Sequence, residues 1–215
     1  SKNWNLVLMT FEKKKDFNNI KKKYVLNEIY EHKIKLVVSK YSDYIYFFSS
    51  ILNLIKGNIK LIKILLFSNV KIVHLRSLFP ALIILPYIYL FNFKIIFDIR
   101  GFWIDEKVER RGLNQRSLTY YFFKKIEKIF FLKSDIIVCL TNESKKIINK
   151  KYKIKENTIV VIPTCVDQNR FFPKQTVKNK DIINLGYLGT TSGAYNFNLV
   201  VQIFKKLLKI NNKYK

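Results

Sequence analysis

Lys94-Ile-Ile-Phe-Asp-Ile-Arg-Gly-Phe-Trp-Ile-Asp-Glu106 sets an apolar, β-branched run against an abrupt polar ending. A continuous apolar run of this length reads as a strand buried in a parallel sheet. In open α/β sheets, ligands sit beyond the carboxyl ends of such strands. Arg100, Asp105 and Glu106 therefore fall where a site would be. Four of the chain's 15 acidic residues lie between Asp98 and Glu109, in a protein otherwise rich in lysine. The competing reading is structural: the same charges can cap the next helix and pair with one another.

Working outward, strand-like and helix-like segments alternate. Trp4 to Thr10, Ile34 to Val38, Lys71 to Leu75, Lys94 to Ile99, Asp135 to Leu140 and Thr158 to Ile162 read as strands. Helices are expected around Lys21 to Glu31, over Tyr46 to Phe67 with a break near Gly57, over Ser117 to Leu132 and over Glu143 to Lys151. This alternation predicts an α/β fold, a Rossmann-like parallel sheet with helices on both faces. Leu78 to Phe91 holds 14 uncharged residues, interrupted by Pro80 and Pro86. A spanning helix needs about 20 apolar residues, so this stretch reads as a helix buried against the sheet, with Pro80 near its first turn.

Composition narrows the class. At 49% hydrophobic residues, the chain is too apolar for a disordered segment. Cys139 and Cys165 fit neither a metal spacing nor a disulfide framework and read as small apolar residues in a reducing compartment. No signal peptide opens the sequence, and the missing initial Met suggests a start inside a longer protein. The net charge of +25 is spread over many lysine-bearing segments, and no aromatic-plus-glycine signature of RNA-binding sheets occurs. The charge reads first as a matter of composition and solubility, next as diffuse attraction for phosphates, nucleotide-linked substrates and anionic lipid surfaces, and last as specific nucleic-acid recognition.

After Ile162 the composition shifts. Residues 1–168 read as one Rossmann-like domain, 169–180 as a linker, and 181–215 as the start of a second domain. There a strand, Asp181 to Leu185, enters Gly186-Tyr-Leu-Gly-Thr-Thr-Ser-Gly193, and a helix follows from about Asn196. Three of the six glycines fall in these eight residues. Such a turn can aim backbone N–H groups at a phosphate, or it can be a plain tight turn. Its spacing is not G-x-G-x-x-G, and no Walker lysine follows.

Five motifs in register carry a family resemblance: Val73-His-Leu-Arg-Ser77 with Pro80-Ala81, Ile96-Phe-Asp-Ile-Arg-Gly-Phe-Trp103 with Asp105-Glu106, Ser134-Asp-Ile-Ile-Val-Cys-Leu-Thr141, Val161-Ile-Pro-Thr-Cys-Val-Asp167 and Leu185-Gly-Tyr-Leu-Gly-Thr190. Together they resemble family-4 glycosyltransferases of the GT-B fold, across essentially the whole chain. The resemblance implies an acceptor domain truncated at its start, lacking its first strand, and a truncated donor domain. It also implies transfer of a sugar from a nucleotide-sugar donor to a glycan or lipid-linked acceptor in cell-surface polysaccharide synthesis, without metal or other cofactor.

On that resemblance, Arg100 and Asp105 are the catalytic candidates, and His74, Arg76, Trp103 and Glu106 the acceptor-binding ones. Gly189, Thr190, Ser192 and Gly193 would bind donor phosphate. Many relatives carry a His at the position of Arg100; Arg stays charged and can orient or neutralise but not shuttle a proton. His74, at a strand end, has an equally good structural reading as a hydrogen-bond partner for a neighbouring loop. The expected location is cytoplasmic, with peripheral contact at the inner face of the membrane, and the fragment alone is expected to be inactive. The alternative class is a basic, non-catalytic module that binds anionic surfaces.

Overall fold

The computed structural model describes residues 4–12, 19–40, 46–169, 171–172, 183–189, 191 and 196–210, without the side chains at 19–22, 40, 46–50 and 111. The chain divides into two units, Ser1–Pro163 and Thr164–Lys215.

In the first unit, strands and helices alternate as the apolar periodicity requires. The order is β1 (Val7–Glu12), α1 (Asn19–Glu31), β2 (Lys35–Lys40), α2 (Tyr46–Phe67), β3 (Ile72–Arg76) and α3 (Leu78–Ile84). Then come β4 (Lys94–Asp98), α4 (Trp103–Arg111), α5 (Leu118–Lys133), β5 (Ile136–Cys139), α6 (Asn142–Tyr152) and β6 (Ile159–Val161). Short 3-10 turns at Leu85–Tyr87 and Glu156–Thr158 complete it. The strands form parallel sheets in an α/β arrangement, as expected.

The sheet is divided. β1 pairs with β2, and β3, β4, β5 and β6 pair in that order. Register runs from Val7 opposite Lys35, and from Ile72 opposite Lys94. Among the described residues nothing pairs the second edge of β1 or of β3. Contact between the two parts runs through side chains instead. The Phe11 ring meets Phe79 of α3 edge-on, with centroids 5.2 Å apart.

Gly57 explains why α2 differs from expectation. The helix runs unbroken from Tyr46 to Phe67, because this glycine serves packing and not a turn. A Cβ there would stand 2.8 Å from Phe11 and 3.0 Å from Ile83. Close approach of these two side chains requires the missing methyl, and the helix accepts a cost of about 1 kcal/mol relative to Ala.

The buried stretch at Leu78 folds as a short helix and not as one long one. Pro80 sits in its first turn, where a missing N–H is tolerated, and Pro86 lies in the 3-10 turn that follows. Ser117 caps α5, its Oγ accepting from the Tyr120 N–H at 3.2 Å. Thr141 does the same for α6 toward Ser144 at 3.1 Å. At the entrance of β4, Asp135 accepts from the Ile95 N–H and pairs with Lys94, each at 2.8 Å. That fixes the strand against the α5–β5 turn.

The core lies around β4 and α5. Phe97 packs on Phe130 and Phe131 with centroids 5.6 and 5.5 Å apart, and Ile84, Ile137, Cys139 and Ile148 close around them, all essentially inaccessible. Cys139 behaves as the small apolar residue expected, whereas Cys165 is exposed in irregular chain.

In the second unit, the described residues include α7 (Phe197–Ile210) and an isolated bridge at Ile183. A strand was expected over Asp181 to Leu185; Asp181 lies outside the described residues and 184–188 are irregular. A strand is held by a neighbour along its length, and a single bridge does not supply one. No residue of α7 is buried, although its apolar residues recur at helical spacing.

Candidate active site at the carboxyl edge of β3 and β4

Parallel pairing of β3 with β4 sets Arg76 opposite Asp98, so the turns after both strands leave the sheet side by side. The Ser77 N–H donates to the Asp98 carbonyl at 2.8 Å and locks the turns together. A cavity of about 140 Å3 opens there, lined by Ser77, Leu78, Phe97, Ile99, Arg100, Gly101, Trp103, Glu106 and Glu127. Leu78, Phe97, Ile99 and Glu127 are buried and form its floor, while Arg100 and Trp103 stand exposed at its rim. A mostly apolar floor with a few convergent polar groups is the usual make-up of a small-ligand site.

Of the residues singled out in the sequence, Arg100, Trp103 and Glu106 line this cavity. His74, Arg76 and Asp105 do not. His74 Nε2 lies 3.5 Å from Asp98 Oδ2 across the β3–β4 pair, with most of its ring exposed. The other Asp98 oxygen is buried and has no hydrogen-bond partner among the described residues. Arg76 is exposed at the end of β3. Gly189 belongs to the second unit, where a Cβ would come within 2.8 Å of the Tyr187 hydroxyl. Thr190, Ser192 and Gly193 lie outside the described residues.

Asp105 faces the neighbouring helices. Its Oδ1 accepts from the Tyr120 hydroxyl and its Oδ2 from Lys124 Nζ, both at 2.8 Å. Lys124 also donates to Glu127 Oε1, and the Tyr152 hydroxyl donates to the same oxygen at 2.7 Å. Helices α4, α5 and α6 are thereby joined through one largely buried polar cluster.

The protonation states follow from this pairing. Burial raises the Asp105 pKa, but hydrogen bonds from Lys124 and Tyr120 outweigh it, and the carboxyl is held below its ordinary value. Burial lowers Lys124, yet its bonds to Asp105 and Glu127 raise it overall. Tyr152 is pushed up by burial and then by the Glu127 charge. Nearby Lys151 is held down by burial and by the Lys124 charge. The cluster therefore contains one firmly protonated lysine and one weakened one.

One glycine and a strained serine shape the wall. Gly101 leaves room for Glu106, whose Oε1 would lie 2.1 Å from a Cβ at that position. The helix carrying Glu106 ends at Gly112, whose φ of 63° suits a residue without a side chain. Ser77 has φ 78° and ψ 177°, a region almost reserved for glycine. Holding a serine there costs about 1–3 kcal/mol, and such strain clusters at functional sites.

Sequence reasoning missed Ser77 and Glu127. Backbone strain leaves no trace in residue type, so Ser77 was not readable. Glu127 was. It precedes Phe130 and Phe131 by three and four residues and so lies on their buried stripe.

Comparison with known proteins agrees with this architecture. The model of Glycosyltransferase Family 4 matches residues 19–170, more than half of the chain. No curated protein matches the sequence. Among solved structures, the crystal structure of a glycosyltransferase from Rickettsia africae ESF-5 is similar, with a TM-score of 0.50 and 17% identity. That match covers 98% of this chain and 67% of the other, and at this identity it shows a shared fold. With the Rossmann-like parallel strands and the family match over the domain that bears the cavity, the chain belongs to Glycosyltransferase Family 4.

Proposed function

We propose that the protein transfers a sugar from a nucleotide-sugar donor to a glycan or lipid-linked acceptor in cell-surface polysaccharide synthesis, and that the cavity after β3 and β4 receives the acceptor. The observation that carries this reading is the convergence of Arg100, Trp103 and Glu106 on one cavity at the carboxyl edge of the sheet. Arg100 is permanently charged and exposed at the rim, suited to neutralising the diphosphate that leaves as the sugar is transferred. Glu106 accepts acceptor hydroxyls, and Trp103 supplies a flat apolar wall. Asp105, with both oxygens engaged, holds α4 in place and acts on the reaction through that helix. Gly189, with Thr190, Ser192 and Gly193, would bind donor phosphate from the second unit, and no metal is required by this scheme. His74 and Arg76 extend the acceptor surface along β3.

Incubating the product of the complete coding sequence with a panel of nucleotide sugars and glycan or lipid-linked acceptors tests this. Arg100→Ala should lower kcat about 10²–10³-fold, the range seen when one charge-stabilising donor is removed. A protein that turns over none of the panel, yet binds nucleic acid with a steep loss of affinity in salt, would favour the basic binding module instead.

Peripheral contact with anionic membranes fits the same reading, supported by the +25 charge. Each basic residue near such a surface contributes about 1 kcal/mol. Among the described residues no helix is long and apolar enough to cross a membrane. Flotation with anionic vesicles should be lost at high salt; equal binding to neutral vesicles would contradict it.

A further inference from the structure

We infer that Glu127 contacts the acceptor directly, its carboxylate at the cavity floor accepting a hydrogen bond from a hydroxyl of a single uncharged pyranose unit, with Lys124 and Tyr152 as positioning residues. This rests on the reading of the cavity as the acceptor site.

Size gives the first constraint. The cavity measures about 140 Å3. An apolar protein cavity of about 150 Å3 holds one benzene molecule, so the space here is on the scale of a single six-membered ring.

Charge gives the second. Glu127 is only 4% exposed, the sole charged residue among those forming the floor. Among the described residues, both hydrogen bonds to its carboxylate, from Lys124 and from Tyr152, go to Oε1. Oε2 takes neither of these bonds, on a residue that lines the cavity. An ionised carboxylate only accepts, so the occupant must donate. An ammonium ligand would meet Arg100 at the rim and Lys124 behind the floor. An anionic ligand would meet Glu106 and Glu127. A neutral hydroxyl satisfies the site without either conflict.

Rigidity gives the third. Tyr152 belongs to α6, while Lys124 and Glu127 are separated by less than one turn of α5. Two donors from different elements on one oxygen fix the carboxylate plane, so its second oxygen keeps one direction. A free glutamate would spread over several rotamers, and ordering it on binding would cost affinity.

The test uses the protein from the complete coding sequence and the methyl β-glycosides of glucose, galactose and mannose, with methyl β-D-glucuronide as the charged probe. Binding is followed by saturation-transfer NMR, and unfolding temperature is recorded for each variant. At least one uncharged glycoside should bind wild type, and the glucuronide should bind more weakly than methyl glucoside. Glu127→Gln should weaken binding roughly 10-fold or more, because hydrogen bonds to charged groups are the stronger class. In transfer assays its effect should fall on acceptor KM and leave the donor KM unchanged.

Tyr152→Phe, a smaller perturbation of the fold, should weaken glycoside binding about 3-fold at a near-native unfolding temperature. Should Glu127→Gln fail to fold, this variant decides alone. Unchanged glycoside affinity in a folded Glu127→Gln or Tyr152→Phe variant would overturn the inference, as would an enzyme that transfers sugar but binds no glycoside here. Failure of wild type to transfer from any donor would instead count against the function proposed above.

Discussion

Replacing Lys124 by Met should destabilise the protein by about 3–5 kcal/mol, measured by denaturant unfolding of the product of the complete coding sequence. The side chain is 13% exposed and lies between Asp105 and Glu127. Removing the ammonium strips Glu127 of its counter-charge in a site where its side chain is only 5% exposed. The cost arises from that stranded carboxylate far more than from any loss of attraction, because a well-paired buried ion pair is itself near neutral in free energy. Restoring neutrality by the double change Lys124→Met with Glu127→Gln should recover part of the loss. A single variant within 1 kcal/mol of wild type would show that water reaches the cluster.

The same cluster sets the pH limits. Folded Lys124 binds its proton more tightly than the unfolded chain does, so its contribution is complete below about pH 10.5 and is lost as pH rises through the folded value. Tyr152 acts in the same sense above its ordinary value of 10.0. Asp105 acts at the other end: its contribution is present above pH 3.8 and is lost as pH falls through the lowered folded value. Lys124→Met should therefore blunt the alkaline fall as well as lower the plateau.

The 215-residue chain should self-associate at micromolar concentration. β1 and β3 each carry one edge that no described strand pairs, and the residues on them are apolar: Val7, Leu8 and Ile72 are 37%, 42% and 42% exposed. Unpaired edges of this kind template pairing with another chain. Sedimentation velocity should show concentration-dependent assembly, reduced by Leu8→Lys, which places a charge on the edge strand. A monomeric, cooperatively unfolding chain at high concentration would show that these edges are shielded.

The parallel α/β alternation of the first unit was legible, because apolar strand-like runs and amphipathic helix-like runs follow one another along it. So was the β4–α4 junction, since an apolar run that ends in charges can hardly be anything but a buried strand meeting solvent. The roles of the charges there were not. Asp105 and Glu106 are adjacent in sequence, yet helical geometry turns them about 100° apart, one to Lys124 and one to the cavity. Lys124 itself is one of 40 cationic residues, and nothing in its neighbours distinguishes it. Gly57 resembled a helix break because glycine punctuates turns more often than it accommodates a phenyl ring. Glu127 could have been found by asking why an acid falls on the stripe of Phe130 and Phe131.

The most direct test of the acceptor site is a crystal structure of the protein from the complete coding sequence, soaked with the methyl glycoside it binds best. The account predicts one pyranose ring in the cavity after β3 and β4, beside Trp103, with hydroxyls within hydrogen-bond reach of Glu106 and Glu127. A ring bound elsewhere at full occupancy, with both carboxylates untouched, would contradict it.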